Sequence, residues 1–162
     1  HMISADIIAI SEERFGRAIT GKKLDAIDPW VSVEVGRLGE ICTFLRDDSR
    51  LRFDLLNCIS GVDYLETDAK KVAKAGFEPH LEVVYHLSSI SLKHRFVLKL
   101  MLPRWKDGVE GSLPEVPTVS HIWATADWHE RETYDLCGVM FTGHPDLRRI
   151  LLAEDWEGFG VR

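Results

Sequence analysis

Two apolar alternations, Leu81 to Leu87 and Arg95 to Leu102, constrain this chain more than anything else in it. Leu81, Val83, Tyr85 and Leu87 share one side of the first, and Phe96, Leu98, Leu100 and Leu102 one side of the second. That is the period of a strand with one buried face, so Glu82 and Lys99 belong to the other face. Ser88 to His94 joins the two, too long for a tight hairpin turn and short enough for antiparallel neighbours. A chain with such a pair must cover its apolar side with further elements.

The preceding residues supply them. Ser4 is placed to cap a first helix with Asp6 in its first turn, Ile7, Ile8, Ile10 and Phe15 over one broad side, and Gly16 near its stop. Gly21-Lys22-Lys23 reads as a loop. Trp30 to Val35 alternates, with Val31, Val33 and Val35 on one face and Ser32 and Glu34 on the other. Leu38, Ile41, Cys42 and Leu45 then recur at helical spacing, and Asp47-Asp48-Ser49 ends that helix. Phe53 to Asn57 reads as a second short helix before a strand over Cys58 to Leu65, with Gly61 marking a bulge or irregular start. Glu66 to Glu78 is polar and reads as a loop with one turn of helix. Pro103 to Pro117, broken by proline, glycine and serine, reads as a loop or edge strand, after which Ile122-Trp123 approaches a last helix.

Strands interleaved with helices, too closely spaced for repeated parallel crossovers, predict an α+β fold: a two-layer sandwich whose mixed or largely antiparallel sheet has helices packed on it. At 162 residues the chain is expected to be one domain over 1–162. Acids outnumber bases 26 to 20, for a net charge of −6, which argues against a nucleic-acid role. Cys42, Cys58 and Cys137 stand far apart with no Cys-x-x-Cys spacing, so the ligands for an iron–sulfur cluster or structural zinc are missing, and reduced, buried thiols in a cytosolic setting are expected. No apolar run approaches the roughly 20 residues that span a bilayer. His1-Met2 reads as a tag remnant.

Chemistry concentrates between Asp127 and Ile150. Asp127 followed by Glu130 has the capping-box pattern, a helix over Trp128 to Cys137 follows, and Gly138 suits its left-handed end. The helix carries His129, Glu130, Arg131, Glu132 and Asp135. A solvated face is one reading, but local pairing does not explain the choice: Arg131 precedes Asp135 in the less favourable orientation, and Glu132 sits beside Asp135 as a like charge. Val139-Met140-Phe141 reads as a short buried strand and Thr142-Gly143-His144-Pro145-Asp146 as a turn, with Arg148, Arg149 and Ile150-Leu151-Leu152 after it.

An acid–base or metal site would gather His129, Glu130, Glu132, Asp135 and His144. The helix lacks the second histidine one turn on that a zinc helix supplies, and no nucleophile elbow, phosphate loop or dinucleotide fingerprint occurs. His144, before Pro145, reads as a turn residue whose ring bonds locally, and His80, His86, His94 and His121 as structural. Two compatible readings of the charges remain: a fold-fixing network in which Arg131 ties carboxylates and carbonyls together, and a partner-facing surface held rigid by it. Trp105, Trp123, Trp128 and Trp156 favour the surface, although core packing accounts for some of them.

The ordered run Glu130-Arg131-Glu132, Tyr134-Asp135-Leu136, Gly138, Phe141 and Gly143-His144-Pro145-Asp146-Leu147-Arg148-Arg149-Ile150-Leu151 resembles the signature of the complex I 30-kilodalton subunit family, the C subunit of bacterial NADH:quinone oxidoreductase. Phe53-Asp54-Leu55-Leu56, Val62-Asp63-Tyr64, Val84-Tyr85-His86-Leu87 and Ile122-Trp123 through Trp128 resemble it upstream, so the resemblance runs from Trp30 to Trp156. It departs after Asp155-Trp156-Glu157-Gly158, where the family continues His-Pro-Leu-Arg-Lys-Asp and this chain reads Phe159-Gly160-Val161-Arg162, as if its tail were trimmed.

The resemblance implies one α/β domain serving as a non-catalytic core subunit of the hydrophilic arm of a proton-translocating complex that passes electrons from NADH to quinone. It implies docking on the 49-kilodalton (D) subunit, with flavin, iron–sulfur clusters and quinone held by partners and no cofactor here. It also implies a peripheral place on the cytoplasmic side of a bacterial membrane, or on the matrix side in mitochondria. Trp128, Glu130, Arg131, Glu132, Tyr134, Asp135, Gly138, Phe141, Gly143, His144, Pro145, Asp146, Arg148 and Arg149 then form the partner interface or its supporting network. Alternatives are the equivalent subunit of a membrane-bound hydrogenase or of a ferredoxin- or cofactor-oxidising complex and, from another class, a free-standing metal-dependent hydrolase.

Overall fold

Tyr85 opposite Leu98 and Leu87 opposite Phe96 set the register of the central hairpin, β4 (His80–Ser89) against β5 (His94–Leu102). These four side chains are almost fully buried. The computed structural model describes residues 2–65, 79–149 and 157–159; the expectation for Glu66 to Glu78 lies outside them. Each strand is longer than its apolar alternation, so the connection shrinks to Ile90 through Lys93. Side chains close this turn: Ser89 Oγ accepts the Leu92 N–H at 3.2 Å and Asp54 Oδ1 the Ile90 N–H at 3.0 Å.

Among the described residues the sheet has five strands in the order β1-β2-β5-β4-β3, with β2 parallel to β5 and its other pairs antiparallel. It is thus the mixed sheet that was expected. β1 (Ile19–Lys23) corrects the loop reading of Gly21-Lys22-Lys23. The lysines sit on an edge strand, where Lys22 Nζ reaches Glu12 Oε1 at 2.9 Å, and a Cβ at Gly21 would crowd Ser32 Oγ, 2.8 Å away. β2 (Trp30–Val33) is shorter than expected, since Val35 opens a 3₁₀ turn instead of ending the strand. Ser32 is buried rather than solvated, its hydroxyl accepting from Thr20 Oγ1 at 2.9 Å.

β3 (Leu55–Tyr64) replaces the short helix expected over Phe53 to Asn57. Partners distant in sequence override the local pattern: the Leu51 carbonyl lies 2.6 Å from His94 Nε2, and the Phe53 carbonyl accepts from Trp123 Nε1 at 2.8 Å. Register slips between Leu56 and Cys58, so the irregularity sits at Asn57, not at Gly61.

Helix α1 (Ser4–Phe15) begins with Ile3 as the capping residue and no side-chain cap, which corrects the role given to Ser4; it ends at Gly16 as expected. Helix α2 (Leu38–Asp47) buries Leu38, Ile41, Cys42 and Leu45, the residues its spacing selected. β6 (Glu115–Pro117) pairs in parallel with β7 (Met140–Thr142) as a separate two-stranded sheet, so the proline-rich stretch ends in a strand. Between these two strands lies α3 (Ala126–Cys137). Helices α1, α2 and α3 join the inward strand side chains in a single core cluster, which makes the described residues the predicted two-layer α+β sandwich.

Candidate functional site

α3 carries the charged run and lies against β3. Its contact depends on Gly61, where a Cβ would stand 2.2 Å from Cys137 Sγ. Thr125 at the helix start donates from Oγ1 to the Leu56 carbonyl at 3.0 Å, and Thr133 Oγ1 to the His129 carbonyl at 2.9 Å. The expected capping box does not form: the capping residue is Thr125, without a side-chain cap, and Asp127 lies in the first turn. Glu130 is drawn to partners outside the helix instead, and Asp127 to Arg131 one turn on and His144 outside the helix. At the other end Gly138 takes the left-handed conformation, φ 69° and ψ 48°, and its N–H bonds the Tyr134 carbonyl.

The charged residues leave the helix in three directions. Glu130 points inward and is 0% exposed. Thr118 donates its hydroxyl to the carboxylate, and Oε2 accepts the Val119 N–H at 3.2 Å. Burial raises Glu130 to about 6, against the opposing pull of the Thr118 and Val119 hydrogen bonds. Burial likewise pushes the nearby Cys42 thiol and Tyr85 hydroxyl up.

Along one flank, Asp127 Oδ1 lies 3.1 Å from Arg131 Nε and 3.3 Å from His144 Nε2. Asp146 Oδ2 stands 4.0 Å from Arg131 Nη1 and 3.1 Å from Arg148 Nε. The His144 ring is fully enclosed. Asp146 donates its backbone N–H to Nδ1 at 2.9 Å, so the ring hydrogen is on Nε2, 3.0 Å from the Asp127 carbonyl. The ring bonds locally, as its place before Pro145 implied. It also clamps the turn to the start of α3.

Near the helix end, Asp135 is fully buried with Arg149 Nε 3.9 Å away. Arg149 donates from Nη2 to the Gly158 carbonyl at 2.7 Å and lies over the Phe159 ring. Phe159 meets Tyr134 edge-on at 5.9 Å and packs onto Gly138, where a Cβ would approach its ring within 2.8 Å. Arg131 therefore pairs with Asp127, and Arg149 approaches Asp135.

Trp128 faces outward. It is 47% exposed, donates its indole N–H to Glu132, and has the Arg131 guanidinium 5.4 Å from its ring centre. An indole fixed from two sides while half in solvent is held in one orientation at the surface. Pro145 and Arg148 are exposed on the turn that His144 clamps to the same helix, Gly143 turns at φ 80°, and Phe141 lies within the core.

Sequence reasoning missed Thr118 and Phe159. Thr118 is twelve positions from Glu130 and has no spacing signal; Phe159 was visible only as a departure from the family's pattern. The acid–base grouping of His129, Glu130, Glu132, Asp135 and His144 is not assembled, because Glu130 and Asp135 turn into the protein while Glu132 goes to Trp128. Among the described residues, no three His, Cys, Asp or Glu side chains are grouped to hold a metal ion. No helix among them is long and apolar enough to cross a membrane.

A profile of the family described as "Respiratory-chain NADH dehydrogenase, 30 Kd subunit" matches residues 31–162. The C subunit of the NADH-quinone oxidoreductase of Chloroherpeton thalassium is 39% identical over 155 residues, covering 94% of this chain and 57% of that protein. Its Roseiflexus castenholzii counterpart is 45% identical over 132 residues, covering 82% of this chain and 66% of that protein. The chain thus spans less than two thirds of either relative. In structure, it superimposes on a chain of the membrane-bound sulfane sulfur reductase, an archaeal respiratory membrane complex, with a TM-score of 0.68 and 23% identity, over 93% of this chain and 77% of that one; this likeness shows the fold. On the profile match and these identities, the chain belongs to the 30-kilodalton subunit family of respiratory-chain NADH dehydrogenases.

Proposed function

We propose that the chain is a non-catalytic structural subunit of the hydrophilic arm of a proton-translocating NADH:quinone oxidoreductase, docking on the 49-kilodalton (D) subunit. The observation that carries this reading is Trp128, an exposed indole held in place by Glu132 and Arg131 on a helix whose other charges are tied to the fold. Interface anchors are typically aromatic and arginine side chains fixed before binding. The Asp127–Arg131–Asp146–His144 cluster and the Arg149–Phe159 clamp serve to hold that surface rigid. No cofactor is assigned to this chain, since its cysteines are single and its signature carboxylates are occupied within the fold. Flavin, iron–sulfur clusters and quinone belong to partners. Membrane association is peripheral, through the complex, on the cytoplasmic side.

The relatives named as NADH-quinone oxidoreductase subunits favour NADH as the electron donor of the parent complex. A second reading, the equivalent subunit of a related membrane complex, draws on the fold shared with the sulfane sulfur reductase chain. A pull-down with the tagged chain from detergent-solubilised membranes of its own source separates the two. Recovery of a D-like subunit with an NADH-oxidising flavoprotein supports the first, and recovery of hydrogenase or ferredoxin-oxidising subunits the second. Recovery of the chain alone would overturn both.

A further inference from the structure

The sheet has a second face. On β3 the outward positions are Cys58, Ser60, Val62 and Tyr64, paired with His86, Val84, Glu82 and His80 of β4. β5 adds Arg95, Val97, Lys99 and Met101; β2 adds Trp30. An antiparallel sheet with one solvated face has polar side chains on it. Here Val62 and Met101 are exposed, and Val84 and Val97 are each only 8% exposed while standing outside the core cluster.

Polar contacts cross this face from strand to strand. Tyr64 stacks on His80 at 4.9 Å, His80 Nε2 lies 3.1 Å from Glu82 Oε2, and Lys99 Nζ lies 3.3 Å from Glu82 Oε1 and 4.4 Å from the Trp30 ring centre. Both oxygens of Glu82 are engaged, and the residue is 5% exposed. The cations are not balanced in this way. Arg95 and Lys23 are exposed with no ion pair among the described residues, and Lys23 extends the face by pairing with Trp30. In a chain of net charge −6, this face carries Lys23, Arg95 and Lys99 against Glu82 and, at its edge, Asp28, so it is weakly basic and partly apolar.

We propose that this face is a second docking surface, distinct from α3, that takes an acidic surface of another protein. Opposite charge and partial apolar character fit a protein partner, because the exposed Val62 and Met101 and the half-buried Trp30 gain from burial while Arg95 and Lys23 select negative charge. Its extent is on the order of 600 Å² from strand spacing and rise, near the roughly 800 Å² per partner of a stable interface. A cavity of about 250 Å³ lined by Arg95, His86, Cys58 and Asp28 gives an inserted side chain room. The proposal rests on the reading that the chain works inside a larger complex.

The test is hydroxyl-radical footprinting of the full chain, alone and within the complex purified from its own source, read at Trp30, Met101 and Trp128. Slower oxidation of Trp30 and Met101 by several-fold in the complex, with recovery of the partner falling about ten-fold in Arg95→Glu and restored in Arg95→Lys, is the expected result. Protection of Trp128 with Trp30 and Met101 unchanged would overturn this inference and leave the α3 docking intact. Protection of Trp30 and Met101 with no effect of Arg95→Glu would overturn the acidic partner. A chain that joins no complex would overturn the α3 reading and this one together.

Discussion

His144 bonds back to Asp127 across seventeen residues, its Nε2 lying 3.0 Å from the Asp127 carbonyl, while its Nδ1 accepts the Asp146 N–H. One enclosed ring thereby joins the turn after β7 to the first turn of α3. His144→Ala should destabilise the fold by about 2–4 kcal/mol, because it empties the space of a fully enclosed ring and removes the bond that ties the turn to the part-buried Asp127 carbonyl. Urea denaturation at neutral pH measures this. A loss below about 0.5 kcal/mol, the range of ordinary surface substitutions, would remove the clamp from the account.

Glu130 supplies a pH dependence. Its folded value of about 6 lies above the ordinary 4.5, so the folded state binds its proton more tightly than the unfolded chain does. Stability from this group is greatest below the unfolded value, falls as pH rises between the two, and above about 6 is lower by about 2 kcal/mol. Glu130→Gln removes this contribution. Comparing parent and variant by denaturation at acid and neutral pH, the parent should lose about 2 kcal/mol more across that window; parallel curves would contradict the assignment.

Gly138 and Gly61 are required for different reasons. At Gly138 the left-handed φ of 69° and the Phe159 ring within 2.8 Å both oppose a side chain; at Gly61 only the packing against α3, chiefly Cys137, does. Gly138→Ala should therefore cost about 1–3 kcal/mol, with Phe159→Ala relieving part of it in a double-mutant cycle and the backbone strain remaining. In Gly61→Ala, truncation of Cys137 to Ala should restore most of the loss, since no positive φ is involved. Equal rescue in the two pairs would show that strain at Gly138 contributes nothing.

Arg131 has two duties, and they separate by substitution. Arg131→Ala loses the Asp127 pair at 3.1 Å and the support beneath Trp128, and should lower stability by about 1–3 kcal/mol as well as weaken docking. Arg131→Lys keeps the charge without the planar fork. It should recover most of the stability and less of the docking, measured by denaturation and partner recovery. Full docking by Arg131→Ala would contradict the support role.

What the sequence disclosed follows from period. Leu38, Ile41, Cys42 and Leu45, and the inward residues of β4 and β5, were legible because regular burial repeats at a fixed interval. The left-handed Gly138 was legible because one residue type dominates that conformation. Phe53 to Asn57 misled because its backbone partners, Trp123 at the Phe53 carbonyl and the β4 strand beyond, lie far along the chain. The Asp127–Glu130 pattern misled for a related reason, since Thr118 and His144 claim those carboxylates in place of the helix amides. A spacing rule reads only local competition; here the winning partners were tertiary.

The most direct test of the central claim is the affinity of the full chain for the separately expressed 49-kilodalton (D) subunit of its own source, measured by calorimetry for the parent and for Trp128→Ala. The parent should bind, and the variant should bind about 10- to 100-fold more weakly, with the two melting at the same temperature. A parent that does not bind, or a variant that binds as tightly, would contradict it.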